Sequence, residues 1–259
     1  MQVAMFGDIM GRPGRTWAIR KIAEVRAGGL CDFVVANGEN AAGGMGLTPE
    51  VARELLDAGV DVITTGNHVW NKREMAAYLP IEPRVLRPAN YPRAVPGSGF
   101  HIVRNHGYRL AVINLQGRVF MDPIDSPFEI GDAVVDMVAS SADAIVVDFH
   151  AEATSEKQAL AIHLDGRVSA VVGTHTHVQT ADERVLPRGT AYITDLGMSG
   201  PIDSVIGMDP DTVLPRFLTG LPTRFNVARG PVVVEGVIID IDHATGRARS
   251  IQRVREIAE

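Results

Sequence analysis

Short apolar runs dominated by valine and isoleucine recur along this chain, and most of them alternate with segments of helical period. Val3 to Phe6, Phe33 to Ala36, Val60 to Thr64, Leu110 to Asn114, Ala144 to Phe149, Ser169 to Val172 and Thr190 to Thr194 are near-continuously apolar. Strands of that character are buried on both faces. Thr16 to Arg26, Pro49 to Ala58, Lys72 to Tyr78, Ile130 to Ser140 and Ser155 to Leu164 carry helical patterns. Strand, helix, strand succession predicts an α/β layered fold. Two places depart from it. Asn105-His106-Gly107 lies between Phe100 to Val103 and Arg109 to Asn114, and His243-Ala244-Thr245-Gly246 lies between Val232 to Asp240 and Arg247 to Val254. Both read as hairpin turns, so the central sheets are expected to be mixed, with antiparallel edges and flanking helices. No repeat or serine-rich linker interrupts the sequence, so 1–259 is expected to be a single domain. Pro80 to Pro96 reads as a structured loop, and Pro201 to Gly230 carries no readable pattern.

Composition narrows the class. A formal net charge of −6 disfavours sequence-independent binding to long nucleic acid, because acidic surfaces repel polyanions. The single cysteine, Cys31, allows no intramolecular disulfide and reads as a small buried hydrophobe. Met1 to Phe6 lacks a basic region, and no apolar stretch is long enough to span a bilayer. A cytoplasmic protein without membrane contact, open to homo-oligomer formation, is the expectation.

In open α/β sheets ligands gather at the carboxyl ends of strands. Five strand ends here are followed by residues able to hold a metal. They are Gly7-Asp8, Gly38-Glu39-Asn40, Gly66-Asn67-His68, Asp148-Phe149-His150 and Gly173-Thr174-His175-Thr176-His177. Taken singly, each has a bland alternative: a helix cap, a turn residue or a satisfied core histidine. Their conjunction is different. Gathering so many polar groups in one place is costly unless something compensates them, and a pair of metal cations would. With no thiolate available, nitrogen and oxygen donors suit iron, manganese, zinc or cobalt, in divalent or trivalent form.

Those segments resemble the calcineurin-like metallophosphoesterase superfamily over roughly Met1 to Gly200. More narrowly, Gly7 to Arg15, Asn37 to Gly44, Thr65 to Trp70, Arg87 to Pro92 and Asp148 to Lys157 resemble its YmdB-like bacterial branch. The wider superfamily opens on Asp-x-His, where this chain has Asp8-Ile9-Met10, and continues with Gly-Asp, where this chain has Gly38-Glu39-Asn40. The YmdB-like branch shares that departure. The resemblance implies a layered sandwich holding two metal ions, with iron or manganese favoured. Asp8, Glu39, Asn40 and His177 would hold one ion, and Asn67, His150 and His175 would complete the other, with Glu39 bridging. It implies a phosphodiesterase acting on a small phosphodiester or nucleotide, with 2′,3′-cyclic nucleotides the first candidates and 3′,5′-cyclic ones the second.

In a two-metal site a bridging hydroxide attacks phosphorus in line with the leaving oxygen. His68 is the candidate catalytic residue, stabilising charge or protonating the leaving group, and its alternative is to orient a ligand. Arg12 and Arg15 stand close enough in sequence to reach a phosphate, or else form surface ion pairs. Gly43-Gly44-Met45-Gly46 is expected near the pocket but lacks the lysine of a phosphate-binding P-loop. Rival readings are a phosphomonoesterase of the same fold and a regulatory or scaffold protein with a structural metal site. No Gly-x-Ser-x-Gly elbow supports a serine hydrolase.

Overall fold

The computed structural model describes residues 1–258. The first half of the chain builds one sheet. β1 (Gln2–Phe6), β3 (Phe33–Asn37) and β4 (Val62–Thr64) run parallel, joined by α1 (Gly11–Ala27) and α2 (Pro49–Asp57). The short β2 (Asp8–Ile9) lies between β1 and α1, and the one-turn α3 (Met75–Tyr78) follows β4. The second sheet begins with the hairpin β5 (Phe100–Asn105) and β6 (Tyr108–Gln116). Its two-residue turn places His106 at φ 49° and Gly107 at φ 84°, the left-handed pair such a turn requires. α4 (Pro127–Val138), β7 (Ala144–His150), α5 (Thr154–Leu164), β8 (Ala170–Thr174), β9 (Arg184–Val185) and β10 (Ala191–Ile193) complete it. Here β6, β7, β8 and β10 are parallel, and β5 and β9 close the edges antiparallel.

The chain then returns to the first sheet through β11 (Met198–Pro201), crosses α6 (Pro210–Thr219), and ends in the long hairpin β12 (Val232–Asp242) and β13 (Arg247–Ala258). β12 pairs antiparallel with β1, so both sheets are mixed as expected.

Residue parity explains why the strands look apolar throughout. Val3 and Met5 of β1, with Phe33 and Val35 of β3, face the second sheet and pack on Leu110, Val112, Val146 and Val172. Ala4, Phe6, Val34 and Ala36 face the other way, onto Ala18 and Ile22 of α1 and Leu55 of α2. In the second sheet, Ile113, Val147 and Val171 pack outward on Val135 of α4 and Leu160 of α5. The result is a helix–sheet–sheet–helix sandwich whose central parallel strands have no solvent face to mark with polar residues, while β13 at the margin mixes buried and exposed positions.

Three expected elements shift. α1 starts at Gly11 rather than Thr16, because Pro13 sits in the first turn, where its missing N–H is not needed. The helix expected over Lys72 to Tyr78 shrinks to one turn at Met75–Tyr78, the residues before it being tied in tight turns (Asn71 N–H to the His68 carbonyl, 3.0 Å). α6 went unread because Pro215 lies inside it; its start is nonetheless well signalled, with Asp209 capping the Asp211 N–H at 3.0 Å and Pro210 following. Cys31 is buried, as expected. No helix among the described residues is long and apolar enough to cross a membrane.

Candidate metal centre

The parallel strands deliver their carboxyl ends to one place. Asp8 stands just past β1, Glu39 and Asn40 just past β3, and Asn67 and His68 past β4. From the other sheet, His150 is the last residue of β7, and His175 and His177 follow β8. The backbone makes room for this meeting. At Gly66 a Cβ would lie 2.1 Å from His150 Cδ2 and 2.4 Å from Glu39 Oε2, so only glycine can occupy that position. His175 and His177 adopt φ of 105° and 64°, where side-chain-bearing residues are strained. Two carboxylates hold that loop: Asp8 Oδ2 accepts the His175 N–H at 3.0 Å, and Asp195 Oδ2 accepts the Thr176 N–H at 3.1 Å.

The donor atoms fall into two overlapping groups. In the first, atoms of Glu39, His150 and His175 all lie within 4.8 Å of one another. His150 Nε2 is 3.1 Å from Glu39 Oε1, 3.0 Å from His175 Nδ1 and 3.0 Å from Asn67 Oδ1. In the second, His177 Nε2 is 3.8 Å from Asp8 Oδ1 and 3.1 Å from Asn40 Nδ2, and that Nδ2 is 3.3 Å from Glu39 Oε1. Glu39 belongs to both. Asn40 departs from the expectation in one respect: it turns its amide nitrogen to the cluster and gives its oxygen to His68 Nδ1 at 2.8 Å. Rotating the amide by half a turn would bring an oxygen to His177 and a donor to His68, a choice the hydrogen-bond network settles rather than the heavy atoms.

Each of the three ring systems is fixed from outside. The Thr174 hydroxyl donates to Asp148 Oδ1 at 2.7 Å, so at 2.9 Å it accepts from His150 Nδ1–H. His177 Nδ1–H donates to the Ile206 carbonyl at 2.8 Å. His175 Nε2 faces Glu152 Oε2 at 3.2 Å. Each imidazole is thereby left with its other nitrogen toward the centre, the usual arrangement around a bound metal.

Electrostatics point the same way. Asp8 and Glu39 are buried, and among the described residues neither is paired with a lysine or arginine. Asp8 Oδ1 is buried with no hydrogen-bond partner. Burial raises the Asp8 carboxyl, to about 6. Burial, reinforced by His150, pushes His175 down to about 3, so its ring stays neutral. Burial would lift Glu39, but His150 and His68 outweigh it and hold the carboxyl below its ordinary range. Burial would lower His150, but Glu39 and Asp8 outweigh it and hold the ring above its ordinary range. Two buried carboxylates with imidazoles and amides around them, and no lysine or arginine beside them among the described residues, make a centre that fits hard or borderline cations.

The remaining candidates separate cleanly. His68 lines the cleft beside the cluster, its N–H donating to Glu39 Oε2 at 3.2 Å, and burial lowers its ring below the ordinary range. Gly44 and Met45 also line the cleft. Arg15 does not reach it: it donates to the Ala41 carbonyl at 2.8 Å and pairs with Glu54. Arg12 is exposed on α1. Asp148, Thr174 and Asp195 escaped the sequence reading. Their signal was available, since Asp148 shares a strand face with His150, Thr174 is its register partner, and Asp195 follows a sixth strand.

A helix-flanked pair of mixed sheets with carboxylate, imidazole and amide donors meeting at their strand ends defines a metallophosphoesterase-type phosphoric ester hydrolase. Residues 4–254 match the model of the YmdB-like protein family, and the chain belongs to that family. It is 49% identical to the 2′,3′-cyclic-nucleotide 2′-phosphodiesterase of Bacillus subtilis, over 98% of this chain and 96% of that protein. A hypothetical protein of Thermus thermophilus superposes with a TM-score of 0.94 at 43% identity, covering 100% of both chains. A crystal structure described as a novel phosphatase from Mycoplasma pneumoniae superposes with a TM-score of 0.92 at 32% identity, covering 99% of this chain and 93% of its own.

Proposed function

We propose that this chain, one domain over 1–259, is a cytoplasmic phosphodiesterase that hydrolyses cyclic nucleotides with two metal ions, 2′,3′-cyclic ones first and 3′,5′-cyclic ones as the second candidate. The observation that carries the proposal is the meeting of six donor residues around Glu39, with each imidazole fixed from outside by Thr174, Glu152 or the Ile206 carbonyl. The name of the Bacillus subtilis relative supports the substrate class. One core shared between the two sheets supports the single domain.

Asp8, Asn40 and His177, with Glu39, are suited to one ion; Asn67, His150 and His175, with the same Glu39, are suited to the other. Iron or manganese matches a set of imidazoles, carboxylates and amides without thiolate. Bound there, such ions supply positive charge for the phosphate oxygens and lower the pKa of water. The protein's own part is to hold the donors rigidly and to present His68. That ring is neutral at pH 7, because burial lowers its pKa. With the Asn40 amide turned so that its oxygen meets an ion, its nitrogen donates to His68 Nδ1, and the ring's own proton then sits on Nε2. A neutral imidazole N–H is a donor to charge developing on the phosphate or on the leaving oxygen, and a proton carrier only once an anion has raised its pKa.

Elemental analysis of protein purified without chelator, combined with hydrolysis of 2′,3′- and 3′,5′-cyclic nucleotides in added manganese, tests the proposal. About two ions per chain with diester turnover is the expected result. No ion and no turnover after manganese addition would leave a scaffold with a relic donor set.

A further inference from the structure

The cleft beside the donor cluster has two unlike halves. Glu39, Asn40, His68, His175 and His177 line one side of a space of about 560 Å³. The other side comes from the segment the sequence left unread: Val205, Ile206, Met208 and Val213, with Phe217 and Phe225 at its outer part. This wall is built rather than loose. Val205 and Met208 exchange backbone hydrogen bonds at 2.8 and 3.0 Å, Asp209 N–H donates to the Asn226 carbonyl at 2.8 Å, and Ala228 N–H donates to the Gly207 carbonyl at 3.0 Å. Met10, Met208 and Val213 form a small core of their own beneath it.

Two features of the wall point outward to a ligand. Phe217 lines the cleft yet is 78% exposed, so its ring has a face that no protein group covers. Arg216, the only lysine or arginine lining the cleft among the described residues, lies over Phe225 with its guanidinium carbon 5.5 Å from the ring centroid. Flat aromatic and guanidinium surfaces favour a flat π-system between or against them. A ligand filling both halves carries an anionic group at one end and a flat, weakly polar group at the other. The space is of the size that encloses a small molecule.

We propose that the 205–225 wall is the nucleobase subsite of the enzyme, with Phe217 its principal stacking residue and Arg216 its cationic partner. This rests on the phosphodiesterase reading above and adds where the base sits and which residues select for it. Stacking tolerates every base because each has a π-face, so the wall distinguishes nucleotides from base-free diesters more strongly than it distinguishes one base from another.

The test compares a nucleoside 2′,3′-cyclic phosphate with ribose 2,3-cyclic phosphate, which lacks the base, in the metal-loaded enzyme. Calorimetric binding of a nucleoside 3′-monophosphate and of ribose 3-phosphate is measured alongside. In Phe217→Ala the ratio of kcat/KM between the two diesters should fall about tenfold, mostly through KM, and the nucleotide's binding advantage should fall by a similar factor. Phe217→Trp, which keeps a stacking face, should retain both ratios. Equal losses on both diesters with unchanged ratios would overturn the subsite and make Phe217 structural. Wild-type enzyme that hydrolyses neither diester would remove the phosphodiesterase reading, while the binding ratio would still decide the subsite: an advantage that Phe217→Ala abolishes sustains it, and no advantage ends it.

Discussion

Glu39 concentrates the chemistry of the centre. It touches His150, Asn40 and His68 and stands between the two donor groups. Glu39→Gln keeps the shape but removes the charge that both groups share. It should lose most of the metal and at least ~10²-fold in turnover, read by elemental analysis and steady-state kinetics; full activity with intact metal content would end the bridging role. His68 is expected to behave differently. His68→Ala should leave metal content intact and slow turnover by ~10²–10⁴-fold, the usual yield of a positioned proton donor. Loss of metal in that variant would make it a ligand. At this scale the sequence spoke clearly wherever a donor followed a strand, since strand direction alone predicts convergence. It was silent about Asn40's orientation, which depends on His68 and His177 arriving from elements far away in the chain. For Arg15 the ion-pair alternative holds, with Glu54 on another helix as the partner.

The element that matters most is the loop after β8, and it is held by a buried ion pair. Lys157 of α5 lies 2.7 Å from Asp195 Oδ2, with side chains 1% and 0% exposed. The same carboxylate takes the Thr176 N–H between the two histidines, and its other oxygen takes the Gly197 N–H at 2.9 Å. Lys157→Met would leave that charge uncompensated in the interior. Urea unfolding should show a loss of ~3–5 kcal/mol, the usual cost of removing one partner of a buried pair. A double variant that also carries Asp195→Asn should lose less than the two single losses combined, because neither charge is then left alone. The loop was legible as His-x-His, but its support was not, because Lys157 and Asp195 are 38 residues apart and meet only when α5 packs behind β8 and β10. The same distance between cause and effect hid α6: its cap and its final Gly220 (φ 73°) are ordinary signals, and Pro215 between them reads locally as a stop.

For the whole molecule, the two sheets meet through one apolar core and at one end through the donors, so ions bound there would tie the halves of the sandwich together. Chelation should therefore destabilise the fold and not merely silence it. Ions bound at a hundredfold excess over Kd stabilise by about 2.7 kcal/mol per site. For a chain of this size the loss of both ions should lower the melting temperature by about 10–20 °C, recovered with manganese. Scanning calorimetry with and without chelator measures it; an unchanged melting temperature after the ions have left would show that the donors are held by the protein alone. The layered architecture was predictable because two-sided burial leaves a plain mark on each strand. The division into two sheets came with the family resemblance and not from the strand pattern, because a strand apolar on both faces says nothing about which neighbour covers which face.

The hydrogen bond from His177 to the Ile206 carbonyl has an implication for how such a protein can change over evolutionary time. The segment that shapes the outer cleft begins at the residue that steadies an inner donor. Variation beyond Met208 can retune the range of accepted compounds while leaving the hold on the ions untouched. Variation within 204–207, where Ser204 also ties the Gly207 N–H at 2.8 Å, cannot, since a displaced carbonyl frees the His177 ring to turn. New appetites should therefore accumulate on the helical part of the wall, with the short turn at its root inherited almost unaltered.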